Sequence, residues 1–293
     1  LVRAAGARIA QPAVQHAAAG WGCDRVRDAW RDQVLQVPMP ADTAPLIDRF
    51  VHLAALAATR VEAAVALARP GEERAKDDGS PLLAADEAAH EAAAEVLTAL
   101  GLPVLSEERR DARVADGEPW IVVDPLDGTG NFSAGLPPWA FSAALVQEGR
   151  PVAGLVADLS SGRRWAGAAG AGAVRDGVPI SPQPGSTVLA PSAPGGGSVA
   201  VPPTARRVRV LGCTAVELCL VADGSAAAWH DLDRSGTHVH DAAGGLAVLL
   251  AAGGVAVTAE GEAVELRPDT GELIRFVAAA TPDAARQLLP AVD

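Results

Sequence analysis

Two acidic residues three positions apart, Asp124 and Asp127, stand in the stretch Val122-Val123-Asp124-Pro125-Leu126-Asp127-Gly128-Thr129-Gly130-Asn131-Phe132. The apolar run from Trp120 to Val123 ahead of them reads as a short buried strand. Both carboxylates are therefore expected where that strand ends, a common place for ligand groups in α/β folds. Crowded anionic side chains repel unless a cation lies between them, and an all-oxygen donor set suits Mg²⁺ better than zinc or copper. Gly128-Thr129 adds backbone N–H groups and a hydroxyl, which suit a phosphate oxygen or a water. The bland alternative is a turn, since Asp, Pro and Gly all favour turns. A D-x-D-G-T phosphatase signature, with a nucleophilic aspartate two residues before Asp127, is excluded because Pro125 stands there.

Three further acids occupy places from which they can face a site. Asp86 falls in the first turn of a helix expected from about 84 to 100, where the helix dipole favours a carboxylate. Glu107 follows a short strand at 103–105, and Asp241 opens a helix that continues through the apolar run Leu246–Ala252. Taken singly, each has a bland explanation as a helix-start acid or a solvated loop residue. His238 and His240 share a face if their segment is extended, which would suit a transition metal. No third nitrogen ligand has a matching position, so both are expected at the surface or in support of a neighbouring ligand.

The elements that must position these groups follow from periodicity and breakers. A long helix capped by Asp42-Thr43 runs to about Arg69, and a polar loop follows at Lys76–Pro81. Strands at 141–147 and 152–158 flank the turn Glu148-Gly149-Arg150, and the meander continues through 164–167 and 172–174. The segment 181–204 is rich in Pro, Gly and Ser and reads as a loop and linker. A strand at 207–211, a helix at Thr214–Ala222 and a strand at 226–230 come next. The domain organisation expected is an extension at 1–42 with a short helix around 25–37, an α+β metal- and phosphate-binding subdomain at 43–180, and a C-terminal α/β subdomain at 205–293.

The chain has 293 residues, 49% hydrophobic and 20% charged, enough for a sizeable core. Its net charge of −12 argues against a nucleic-acid partner. Cys23, Cys213 and Cys219 are too few and scattered for a disulfide framework or a zinc site. No apolar run approaches the roughly 20 residues that span a bilayer, and no signal pattern opens the chain, so a cytoplasmic protein without a membrane partner is expected.

Together the acids form a pattern. Lys76…Ser80-Pro81…Ala85-Asp86, Ser106-Glu107-Glu108, Asp124-Pro125-Leu126-Asp127-Gly128-Thr129-Gly130-Asn131-Phe132 and Asp241-Ala242-Ala243-Gly244 resemble the inositol monophosphatase superfamily over residues 45 to 275. The resemblance implies an α/β layered sandwich of sheets and helices, a homodimer, and lithium-sensitive hydrolysis of a phosphate monoester of a small polyol, sugar or nucleotide. It implies two or three Mg²⁺ ions: Glu107, Asp124 and the Leu126 carbonyl at one, Asp124, Asp127 and Asp241 at the next, Asp86 with Glu107 at a weaker third. Thr129, hydrogen-bonded to Asp86, would orient a water, with Glu107 beside it, while Gly128 and Thr129 cradle the phosphate. Presence of the whole acidic set favours an enzyme over a non-catalytic regulatory or binding relative.

Two positions depart from the family's pattern. His240 replaces a Trp that serves mainly in packing, so modest consequences are expected. Arg234 replaces a Glu that contacts ring hydroxyls; an Arg favours an anion instead, which points away from myo-inositol monophosphate. Other stretches resemble the 3′(2′),5′-bisphosphate nucleotidase branch (Ser80-Pro81 to His90) and the histidinol-phosphatase branch (Gly135-Leu136-Pro137…Trp139, Arg164-Trp165…Gly167).

Overall fold

The computed structural model describes residues 44–68, 73–75, 81–107, 113–191, 205–232 and 236–289. The helix expected around 25–37, Arg234 and residues 192–204 of the expected linker lie outside the described residues. Helix α1 (Ala44–Leu67) occupies its expected span, and Phe50, Ala54, Ala57, Val61 and Val65 are buried at helical spacing on one face. Its alanines allow close approach to α2 (Ala84–Leu97), which presents Ala85, Ala89 and Ala93 to the same core. A 3₁₀ turn at Thr98–Leu100 extends α2, and Gly101 ends it in the left-handed conformation at φ 71°. Pro81, read as loop, opens a short strand β2 (Pro81–Leu83) paired with β1 (Glu73–Ala75).

By length and composition the stretch Pro45–Leu67 qualifies to cross a membrane, against the expectation that no such run exists. In the fold Phe50, Ala54 and Val61 are fully enclosed, and the stretch serves as a core helix against α2 and a central sheet.

That sheet has seven strands in chain order: β3 (Val104–Ser106), β4 (Trp120–Asp127), β5 (Ala140–Gln147), β6 (Arg150–Asp158), β7 (Arg164–Ala168), β8 (Gly172–Arg175) and β9 (Val178–Ile180). A short helix α3 (Thr129–Ala134) joins β4 to β5. β3 and β4 run parallel, and the later neighbours are antiparallel. Glu148 and Gly149 (φ 51° and 72°) form the β5–β6 turn, and Asp176 and Gly177 (52° and 77°) repeat it at β8–β9. Such paired positive-φ residues match the twist of the flanking strands. β9 escapes sequence reading because three residues with a central Pro179 carry no period-two signal.

Alternation along β4 sends its residues into two layers. Ile121 and Val123 pack with α1 and α2, whereas Trp120 and Val122 pack with α4 (Thr214–Ala222) and α5 (Val239–Ala251). Beyond these helices lies a mixed five-stranded sheet ordered β11 (Arg207–Arg209), β10 (Thr187–Leu189), β12 (Ala228–Asp231), β16 (Phe276–Ala279) and β14 (Val255–Thr258). Its inner face stacks Trp229 on Phe276 with ring centroids 4.6 Å apart. Its outer face is covered by α6 (Pro282–Arg286) through Ala285. A small ladder of β13 (Thr237–His238) with β15 (Leu273–Ile274) completes the described strands. The result is the expected α/β sandwich, layered helix–sheet–helix–sheet–helix.

A further expectation is corrected here. β10 lies inside the 181–204 segment read as loop and linker, yet it pairs in parallel with both β11 and β12. Three residues flanked by Pro184 and Gly185 are too few to stand out in sequence, and only the two neighbouring strands make them a strand. β14, β15, β16 and α6 likewise fall past Ala252, where the sequence reading assigns no element.

Candidate active site

β4 does not end at Val123 as expected; it continues to Asp127, and its register shifts inside the motif. Asp124 pairs with Ser142 and Asp127 with Ala140, so three steps on β4 span two on β5. This is a bulge at Pro125-Leu126, where Pro has no N–H to offer the ladder. Its effect on direction is decisive. Residues three apart in a regular strand face opposite sides, and one extra residue returns them to the same side. Asp124 Oδ1 accepts from the Leu126 N–H at 3.0 Å, which holds the bulge from within.

Neighbouring elements bring the other acids. Ser106 of β3 lies opposite Val123 in the parallel ladder, so the next step sets Glu107 beside Asp124. Asp86 and Asp241 are each the third residue of their helices, α2 and α5, and Thr129 is the first of α3. Helix starts carry partial positive charge and favour acids in the first turn. His90 Nδ1 lies 3.0 Å from Ser106 Oγ in the interior and ties α2 to the strand that carries Glu107.

Ligand atoms of Asp124, Asp127 and Asp241 lie within 4.8 Å of one another, and so do those of Glu107, Asp124 and His240. Asp124 and Asp127 form a buried floor, while Glu107 and Thr129 are half-buried and the Asp241 side chain is 27% exposed at the rim. Burial, then the charges of Asp127, Glu107 and Asp241, push the Asp124 carboxyl well above its ordinary 3.8. Burial also raises Asp127 to about 6, against hydrogen bonds from the Ala215 N–H, the Cys213 thiol and the Gly128 N–H. A buried all-oxygen cluster whose members resist ionising together is a fit for a divalent cation.

Hydrogen bonds fix the remaining parts. Asp127 Oδ2 accepts from the Ala215 N–H at 2.7 Å and lies 3.2 Å from Cys213 Sγ. The Thr129 hydroxyl is 3.0 Å from Asp86 Oδ1 and 2.9 Å from the Leu126 carbonyl oxygen. Asn131 Nδ2 donates to the carbonyls of Pro138 (2.8 Å) and Leu211 (2.7 Å), tying α3 to the approach of α4. Gly128, at φ 86°, turns the chain into α3 and has no room for a side chain: a Cβ would lie 3.0 Å from the Pro138 oxygen. Asp86 therefore joins the cluster through Thr129, and Arg234 lies outside the described residues.

Two residues here exceed what the sequence suggested. His240, expected at the surface, in support of a neighbouring ligand or as a modest replacement for a packing Trp, is 3% exposed, stands beside Asp241 and has a ring nitrogen close to the ligand atoms of Glu107 and Asp124. The face-sharing reading takes His238 to His240 as extended; α5 already begins at Val239, and the helical turn redirects the ring. Its Nε2 lies 3.2 Å from Asp241 Oδ1, and its ring stacks on His238. Glu217 is fully buried and accepts from the N–H groups of Leu211 (2.6 Å), Gly212 (3.2 Å) and Trp229 Nε1 (2.9 Å). Burial raises it to about 8. A single Glu in an apolar helix gives no sequence sign of such a role.

A sequence model of the inositol monophosphatase family matches residues 42–293. A fructose-1,6-bisphosphatase/inositol-1-monophosphatase of Thermococcus kodakarensis is 34% identical over 200 residues, covering 67% of this chain and 77% of that one. A histidinol-phosphatase of Mycobacterium tuberculosis is 46% identical over a shorter 70 residues, 24% of this chain and 26% of its own. Among solved structures, the inositol monophosphatase of Anabaena (Nostoc) sp. PCC 7120 shares the fold, with a TM-score of 0.66 over 85% of this chain and 98% of that one at 22% identity. With the family match running through every acid of the cluster, the chain belongs to the inositol monophosphatase family and is a phosphoric monoester hydrolase.

Proposed function

We propose that this phosphatase uses two or three Mg²⁺ ions to hydrolyse the phosphate monoester of a small polyol or sugar. The observation that carries the reading is the Asp124–Asp127–Asp241 group, two buried acids with a third at the rim, whose charges a cation would hold together. Glu107, Asp124 and the Leu126 carbonyl would hold one ion, Asp124, Asp127 and Asp241 a second, and Asp86 with Glu107 a weaker third. Bound there, divalent ions lower the pKa of a water and neutralise charge on the phosphoryl oxygens. The chain's own groups supply the orientation. Asp86 and the Leu126 carbonyl hold the Thr129 hydroxyl, which directs the attacking water, and Glu107 beside it accepts the proton. The N–H groups of Gly128 and Thr129 receive phosphoryl oxygens. Cys213 is no nucleophile: burial and Asp127 push its thiol well above 9.0.

The relatives' names support inositol 1-phosphate or fructose 1,6-bisphosphate as substrate. The 46% identical stretch shared with a histidinol-phosphatase favours histidinol phosphate as a second reading. Arg234 would meet a second anionic group. In the same reading residues 43–180 form the phosphate-binding subdomain, 205–293 supplies Asp241, and the enzyme is a lithium-sensitive, cytoplasmic homodimer. Phosphate release with Mg²⁺ or EDTA tests it on inositol 1-phosphate, fructose 1,6-bisphosphate, histidinol phosphate and adenosine 3′,5′-bisphosphate. One compound should be cleaved far faster than the rest, only with Mg²⁺, and more slowly with Li⁺. Release that survives EDTA would overturn the metal assignment.

A further inference from the structure

We propose that His240 is a ligand of the cation beside Glu107 and Asp124, and that it tunes this position away from Mg²⁺ toward a transition-metal ion such as Mn²⁺. The inference rests on the metal-dependent reading above and replaces Mg²⁺ at one of its positions. A ring nitrogen of His240 and carboxylate oxygens of Glu107 and Asp124 lie within 4.8 Å of one another. His240 is buried and immediately precedes Asp241 on α5, so the helix start that delivers Asp241 to one group delivers His240 to the other. The ring is also held in place. It stacks on His238 with centroids 5.1 Å apart and planes 13° apart, and Asp241 Oδ1 lies 3.2 Å from its Nε2.

Donor chemistry gives this geometry its consequence. The Asp124–Asp127–Asp241 group is all oxygen and suits Mg²⁺, which prefers hard donors and keeps much of its water. The Glu107–Asp124–His240 group mixes oxygen with an imidazole nitrogen, a donor that first-row transition ions take more readily than Mg²⁺; Mn²⁺ gains least among them but also accepts the oxygen donors, so it is the most demanding probe of the preference. Asp124 is common to both groups, so two adjacent positions with different preferences would share one bridging carboxylate. With Nδ1 as the ligand, Asp241 beside Nε2 would orient the ring and raise its basicity.

The test uses the full chain, stripped with EDTA and loaded with less than one equivalent of Mn²⁺. Pulsed EPR should show a nitrogen coupling to Mn²⁺ that changes when the histidines are labelled with ¹⁵N, which requires no variant. The coupling should vanish in His240→Phe and His240→Gln and persist in His238→Gln. Calorimetric titration with Mn²⁺ and with Mg²⁺ should show the Mn²⁺ preference of the wild type falling by roughly tenfold or more in both His240 variants. Mn²⁺ bound without nitrogen coupling, or an unchanged preference in the variants, would overturn the proposal and leave the metal-dependent phosphatase intact. Failure of both ions to bind the wild type would overturn both.

Discussion

The backbone N–H of Ala215 donates to Asp127 Oδ2 at 2.7 Å, so a carboxylate at the end of β4 closes the open start of α4. Ala215 is the second residue of that helix, and Cys213, which precedes it, makes no side-chain cap. Asp127 thus joins the two halves of the site while facing Asp124 and Asp241. Its two duties can be separated by substitution.

Asp127→Asn keeps an acceptor for Ala215 and removes the charge. Turnover should fall close to background, the melting temperature in EDTA should stay the same or rise, and Mg²⁺ should no longer stabilise the fold. Asp127→Ala should lose activity too and, without the cap, about 1 kcal/mol of stability. Steady-state kinetics and thermal melts with and without Mg²⁺ decide it; an Asn variant that keeps most of its activity removes Asp127 from the site.

Thr129 is half-buried and held by Asp86 and the Leu126 carbonyl, which leaves its hydroxyl a fixed direction. Thr129→Val keeps the shape and should lower kcat by about 10²-fold or more with little change in KM. Thr129→Ser should recover most of the loss. Equal activity in the Val and Ser variants would show that the hydroxyl takes no part in turnover.

Gly244 lets α5 lie on the central sheet. A Cβ there would collide with Ser142 Oγ and press on Ala143 N at 3.1 Å. Gly154 on the facing strand is under the same constraint, since its Cβ would fall 2.6 Å from that of Ala247. Gly244→Ala should cost about 1–3 kcal/mol in urea unfolding. Adding Ser142→Gly should return part of this, and independence of the two changes would show that the contact does not limit the packing.

Glu217 sets a pH dependence away from the metal groups. Its folded value of about 8 exceeds the ordinary 4.5, so between these pH values the folded chain holds a proton the unfolded chain has lost. Its contribution is complete below pH 4.5 and declines as pH rises through 8. Glu217→Gln should flatten the fall in unfolding free energy between pH 5 and 8, measured in urea with saturating Mg²⁺ to keep Asp124 and Asp127 ionised. At pH 5 it should cost about 1 kcal/mol through the lost Trp229 bond. An unchanged slope would mean that Glu217 is ionised in the fold.

What could be read from the chain alone is local. The apolar spacing of α1, the turn at Glu148-Gly149, and the acids at the starts of α2 and α5 each follow from a few neighbouring residues. The motif around Asp124 and Asp127, joined with Glu107, Thr129 and Asp241, likewise pointed to cation and phosphate chemistry from residue types alone.

Only the tertiary structure decided which of these meet. The bulge that turns Asp124 and Asp127 to one side arises from a register shift against β5, and the placing of Glu107 from parallel pairing with β3. β10 became a strand because β11 and β12 flank it. Ala215 and Glu217 carried no local sign of their partners, and the spacing of His238 and His240 gave no sign of Glu107 and Asp124, since such contacts exist only once the layers are stacked. Sequence sets which groups a residue can offer; packing sets what each one faces, and at His240 it brings a buried ring beside Glu107 and Asp124.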